Sequence, residues 1–233
     1  MLILALDTAT LVSSVALAGP QRLLAELTIQ TKKTHSERLM PHIEQLLALA
    51  DTDKAAIGAI AVSIGPGSFT GLRIGLATAK ALAYALNIPI VGVPTLAALA
   101  FGCPVPGAVL APTMDAQKGN IYIALYRWRN GSLDEVTPPA VMPHEAAACL
   151  AGRPEPVLLL GEAAELYADT FRQAGIALAE PHIAMPRAGS VALLGARLLA
   201  AGERQDVMDL EPLYIRRSEA EELWEKRQGC RPS

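Results

Sequence analysis

Ser68 and Arg73 stand in a glycine-rich run, GPGSFTGLRIG over residues 65–75, where chemistry is first to be sought. Its glycines permit positive φ and close approach of another chain or a phosphate. The spacing ending in Gly-Lys-Ser/Thr is absent, so this is not a Walker-type phosphate loop. It is not a nucleophile elbow either, because Pro66 and Thr70 spoil the Gly-x-Ser-x-Gly frame around Ser68. An apolar run enters the loop and a small-residue helix leaves it, so free N–H groups point at whatever binds there. Asp7 and Asp115 each follow an apolar run and open a turn; the plain reading of Asp7 is a cap for the turn at residues 8–10. His35 and His42 are seven apart on one helix, roughly 10 Å at the α-helical rise, too far to share an ion without a bend. His144 and His182 stand alone and read as surface or capping residues. Cys103, Cys149 and Cys230 are widely spaced, which argues against a disulfide framework and against a zinc site.

The elements that must position these residues can be read from pattern. With 233 residues, 52% of them hydrophobic, the chain can bury a substantial core. A formal charge of -3 argues against gripping nucleic acid by bulk electrostatics. The local exception, Arg127-Trp128-Arg129, fits a strand end before an Asn130-Gly131 hairpin turn better than an RNA-stacking site. No segment approaches the roughly 20 apolar residues of a membrane span. The opening MLILALDTAT lacks a basic leader, so a cytoplasmic location is expected.

Strands are predicted at 2–6, 13–18 and 23–29, forming an antiparallel meander. A helix follows over 35–50, with Thr34 and Glu37 at capping-box spacing and Leu39, Ile43, Leu46, Leu47 and Ala50 at helical period. Pro41 should kink its start or displace it toward Met40. Next come a strand ending at Ser63, a helix over 72–86, a strand over 88–93 and a short helix from Thr95. This order, βββαβαβα, suggests a mixed sheet covered by helices, as in the ribonuclease-H-like half of actin-like and sugar-kinase proteins. The Gly/Pro-rich stretch at 102–107 suggests a junction. The expected division is an N-terminal lobe over 1–103, a smaller C-terminal lobe over 104–217 and a terminal helix or tail over 218–233. In the second lobe, strands at 108–114 and 120–128 echo the opening; a strand at 157–160, a helix at 162–174 and another at 191–201 follow.

Gly71, Gly75, Ala79 and Ala83 recur at every fourth residue, a smooth ridge on which another helix could lie close. The ridge could pack on its own sheet or on another subunit.

LALDTAT at the start, THSERLMPHIEQLL, GPGSFTGLRIG, MDAQKGNIY and EPLYIRR, in that order from Met1 to about Arg217, resemble the TsaB (YeaZ) family. The resemblance implies a two-lobed actin-like fold and a role in forming threonylcarbamoyladenosine beside the anticodon of tRNAs that read codons beginning with A. It implies a non-catalytic subunit that binds the homologous transferase TsaD as a heterodimer, joins TsaE in a larger complex and meets tRNA only indirectly. A homodimer is expected in isolation, with no membrane association. No cofactor is expected in the chain alone; ATP or magnesium would sit only at a joint site with partners. The family's pairing through the first two helices makes Leu39, Ile43, Leu46, Gly71, Gly75, Ala79 and Ala83 the expected partner-binding residues. Asp7, Thr8, Ser68 and Asp115 become a nucleotide-facing remnant. In the transferase a His-x-x-x-His pair holds a metal, and alignment puts Thr95 and Leu99 there, neither a credible ligand. The second hairpin offers Ala116, Gln117 and Lys118 in place of phosphate-cradling glycines, and Gly161-Glu162 would set a carboxylate against a nucleotide. The alternative is an ATP-dependent enzyme of the same fold in which Asp7 and Asp115 organise magnesium.

Overall fold

The computed structural model describes residues 1–30 and 35–215. Thr34, the terminal segment over 218–233 and Cys230 therefore lie outside the described residues. Two five-stranded mixed sheets, each flanked by helices, form the actin-like fold expected from the order of elements. The first sheet has the order β3-β2-β1-β4-β5, built from β1 (Leu2–Asp7), β2 (Val12–Ala18), β3 (Leu23–Gln30), β4 (Ile57–Gly65) and β5 (Ile90–Pro94). β1 to β3 pair antiparallel, while β4 and β5 join parallel. α1 (His35–Leu49) and α2 (Phe69–Leu86) cover one face, and α3 (Thr95–Phe101) follows β5.

The second sheet has the order β10-β9-β6-β7-β8, from β6 (Val109–Asp115), β7 (Asn120–Arg129), β8 (Ser132–Pro143), β9 (Val157–Leu160) and β10 (Ala177–Leu178). α4 (Glu162–Leu166) and α5 (Ala168–Gln173) pack against it, with α6 (Pro181–Ala184) and α7 (Ala188–Ala200) following. α3 links the halves: Leu96, Leu99 and Ala100 share a buried cluster with Leu110, Met114 and Tyr126.

Alternation along the strands decides what each face holds. In β1, Leu4 and Leu6 point to α1 and α2, while Ile3 and Ala5 point to the opposite face under α7. α7 crosses the expected partition at residue 104: it packs on the first sheet, not on the second-lobe strands that precede it. Small residues make this docking close; a Cβ on Gly195 would sit 2.8 Å from that of Ala61. Residues 205–214 also return to the first half. Gln205 pairs with Ile90, and the Leu213 amide donates to the Ile64 carbonyl.

α1 runs unbroken from His35 through Pro41, so its start is not displaced toward Met40. The helix expected over 162–174 divides at Tyr167, whose ring stacks on His144 with centroids 3.9 Å apart. Asn130 and Gly131 both have positive φ and make the expected hairpin turn between β7 and β8.

Candidate functional site

The turn between β1 and β2 is the meeting point of the N-terminal elements. Thr8 donates its hydroxyl proton to the Gly71 carbonyl at 2.8 Å, and the Ser68 amide donates to the Ala9 carbonyl at 2.7 Å. Ser68 also caps α2, its Oγ accepting from the Gly71 amide at 3.3 Å. Thr8 and Ser68 thus spend their polar atoms on fixing the turn to α2. Glycine is required at 71 and 75 because a Cβ at either would collide with Thr8. The four-residue spacing that begins the ridge is therefore set by the chain's own β1–β2 turn.

The rest of the ridge faces the same way. Ala79 is 0% exposed and Ala83 1%; both lie in the core with Leu4, Leu6, Ile60 and Val62. Leu39, Ile43 and Leu46 of α1 are buried in that core too. All seven residues expected to bind a partner, Leu39, Ile43, Leu46, Gly71, Gly75, Ala79 and Ala83, pack within this chain and present no surface of their own. The physical reason is that a glycine/alanine stripe gives the closest helix-to-sheet contact, which β1 and β4 use.

The outer side of α2 is largely apolar, whereas that of α1 mixes Met40 with the exposed Glu37, Glu44 and Gln45. Opposite the buried stripe of α2, Ala77, Ala81 and Ala85 are exposed and Ile74 and Leu82 half-buried. Met40 is 42% exposed and Tyr84 77%. At the start of α2, Arg73 lies over the Phe69 ring at 3.8 Å and bonds the Tyr214 hydroxyl at 3.0 Å. Met208, Leu213 and Tyr214 extend the exposed apolar surface beside the helix.

Asp7 is on the sheet's other face, 1% exposed. Its Oδ1 accepts from the Ala9 amide at 3.0 Å, the turn-capping role, while Oδ2 and the buried Ser63 Oγ complete no hydrogen bond. Burial pushes the carboxyl up to about 6, against the opposing pull of the Ala9 amide bond and of the nearby Ser63 hydroxyl, which approaches without completing a hydrogen bond. One free carboxylate oxygen and one hydroxyl, sealed from solvent, do not suit magnesium, which keeps several waters in an octahedral shell. Among the described residues no three His, Cys, Asp or Glu side chains come together as a metal site.

Asp115 ends β6 and caps its own turn, Oδ1 accepting from the Gln117 amide at 2.9 Å. Gln117, Lys118 and Gly119 all have positive φ. Glu162, the first residue of α4, accepts from the Asp115 amide at 3.4 Å. Burial, reinforced by the Asp115 charge, raises the Glu162 carboxyl, although the Asp115 amide bond opposes the shift. Paired carboxylates here repel a phosphate. His144, which sequence reasoning left as a lone histidine, bonds the Gly119 carbonyl at 2.9 Å and braces this turn. No spacing signal links position 144 to 119; only the β7–β8 pairing brings them together.

The remaining candidates have structural partners. The Thr95 hydroxyl accepts from the Gly65 amide at 3.1 Å, and Leu99 lies in the apolar cluster between the halves. Arg127 pairs with Glu155 at 2.6 Å. The Trp128 indole donates to the Ala100 carbonyl at 3.2 Å and its ring packs on Phe101, with Arg197 above both rings.

The family described as TsaD: tRNA N6-adenosine threonylcarbamoyltransferase matches residues 22–224. The chain is 37% identical to the tRNA threonylcarbamoyladenosine biosynthesis protein TsaB of Bacillus subtilis, covering 96% of this chain and 98% of that protein. Identity with the Escherichia coli protein of the same description is 32%, over 98% of this chain and 99% of the relative. The solved structure of YeaZ from Pseudomonas aeruginosa is similar with a TM-score of 0.79 and 30% identity, covering 91% of this chain and 99% of that one.

Proposed function

We propose a function from one premise: the chain belongs to the TsaB family of tRNA threonylcarbamoyladenosine biosynthesis proteins. It serves the formation of threonylcarbamoyladenosine on tRNA as a non-catalytic subunit that docks on the transferase TsaD and keeps it competent. The observation that carries this reading is the outer face of α2, where Ala77, Ala81, Tyr84 and Ala85, with Met40 of α1, leave an apolar surface uncovered while the inner stripe is fully used. The docking residues are therefore these outer ones, and the seven buried residues act beneath them by holding the helices in place.

Support for a non-catalytic role comes from side chains already committed. Thr95 and Leu99 hold the loop and the core, and Asp7 is sealed. Nucleotide or magnesium meets this chain only at a joint site with its partner. TsaE joins the larger complex, tRNA is held by the partner, and a second copy takes the same helix face when the transferase is absent. Among the described residues no helix is long and apolar enough to cross a membrane, and the cytoplasm is the proposed setting.

Ala81→Arg tests the docking face. Position 81 is exposed, so the variant should keep its circular dichroism and melting temperature. Against an apolar partner helix the guanidinium must be desolvated or leave a gap, and affinity should fall by about a hundredfold or more. Gel filtration with TsaD should show the complex for wild type and none for the variant; reconstituted tRNA modification should fall with it. An undiminished complex would place docking elsewhere. Turnover by the isolated chain, given threonylcarbamoyl-adenylate and tRNA, would overturn the non-catalytic reading.

A further inference from the structure

We infer that Arg73 is the charged end of the docking surface, a preorganised fork that receives a carboxylate of the transferase. The inference rests on the docking reading above and adds to it the chemistry of the partner at one point. Arg73, Ala77, Ala81 and Ala85 recur at every fourth residue on the exposed side of α2. A partner segment lying along the three alanines therefore meets the arginine that heads them. The guanidinium is already held in place. Its carbon lies 3.8 Å from the centre of the Phe69 ring, and its Nε donates to the Tyr214 hydroxyl at 3.0 Å. Phe69 and Tyr214 in turn meet with ring centroids 5.2 Å apart.

Tyr214 is a firm clamp because the segment that carries it is fastened along its length. The Gln205 side chain accepts from the Gly92 amide at 2.9 Å, Lys80 Nζ donates to the Met208 and Leu210 carbonyls, and the Leu213 amide donates to the Ile64 carbonyl at 2.7 Å. The clamp occupies only Nε. Among the described residues neither Nη group of Arg73 has a partner, although Asp206, Asp209 and Glu211 stand exposed on the same segment. Asp206 spends one oxygen on the Met208 amide at 2.7 Å. A stacked and oriented guanidinium has surrendered its rotamer freedom in advance, and a planar carboxylate is the acceptor that matches two parallel N–H groups. The first turn of α2 carries no acidic residue, so the helix dipole adds to the attraction for an anion from outside the chain.

Calorimetric titration of the full chain with the transferase, without nucleotide, compares wild type with Arg73→Met, whose apolar stem still covers Phe69. Affinity should fall by about tenfold or more, and the variant's affinity should depend less on salt than that of wild type. Melting temperature and hydrogen exchange over residues 205–214 should stay unchanged. Arg73→Lys gives the second readout: carbodiimide treatment of its complex should join the amine at position 73 to an Asp or Glu of the transferase, a junction that mass spectrometry of the digest identifies. Undiminished affinity in Arg73→Met, or no junction from position 73, would overturn the proposal. So would a fall in affinity accompanied by lost protection over 205–214, which makes Arg73 a tie for that segment alone. An effect that appears only with ATP and magnesium would overturn it too, since the anion would then be a nucleotide phosphate. If Ala81→Arg abolishes the complex while Arg73→Met leaves it intact, the docking surface stands and only this assignment falls; if wild type forms no complex, both fall.

Discussion

Ala79→Arg should yield no folded, soluble chain. Position 79 is 0% exposed and packed with Leu4, Leu6, Ile60 and Val62 beneath α2. A guanidinium placed there has neither room nor a counter-ion, and an unpaired buried charge costs several kcal/mol against a total stability of about 5–15 kcal/mol. Far-ultraviolet circular dichroism and soluble yield should both collapse, in contrast to Ala81→Arg two residues on. Lys80→Ala is not a silent control between them: Lys80 Nζ donates to the Met208 and Leu210 carbonyls at 2.9 and 3.1 Å, so its loss frees the segment that lies along α2. Ala85→Ser, on the exposed side, is the better neutral reference. A soluble Ala79→Arg protein with native dichroism would mean that α2 can rotate its inner stripe outward, and the assignment of faces would have to be reversed.

Much of the fold was legible because period and punctuation agree. The three-strand meander, the helix after Ser68 and the Asn130-Gly131 turn each carry a local signal strong enough to stand alone. β8 does not. Pro138 and Pro139 argue against a strand, and they are tolerated only because β8 is an edge, a property of the assembled sheet. The destination of α7 was hidden for a similar reason: helical period says that Val191 and Ala192 face something apolar, but not which sheet.

The candidate site divides along the same line. The capping aspartate and the glycine loop were readable from spacing, whereas the direction of the ridge was not. A stripe of Gly71, Gly75, Ala79 and Ala83 announces a close contact and is silent about the partner, and here the partner is Thr8 and the strands behind it. The histidine pair was set aside for lying too far apart to share an ion. Its actual use requires no sharing, since each imidazole reaches a different residue of one hairpin.

Asp7→Asn should stabilise the chain at neutral pH, an unusual outcome for a buried polar substitution. With its folded carboxyl raised from 3.8 to about 6, Asp7 favours folding while protonated; that contribution is complete below about pH 4 and is lost as pH rises through about 6. A shift of this size corresponds to about 3 kcal/mol at most by pH 8, since each unit is worth about 1.4 kcal/mol. Asparagine keeps an acceptor for the Ala9 amide and brings an NH2 group toward the Ser63 hydroxyl, which otherwise has no partner. The variant should therefore match wild type near pH 4 and exceed it by ~1–3 kcal/mol near pH 8 in denaturant unfolding, the difference opening between about pH 4 and 6. A constant difference across that range would show that Asp7 does not titrate there. Function decides what the carboxylate is for. If Asp7→Asn keeps the transferase complex and reconstituted activity, the residue is a turn cap whose charge the fold merely tolerates. A loss of activity of about a hundredfold, with fold and complex intact, would instead mean that the charge is used in chemistry at the joint site and would favour the ATP-dependent enzyme.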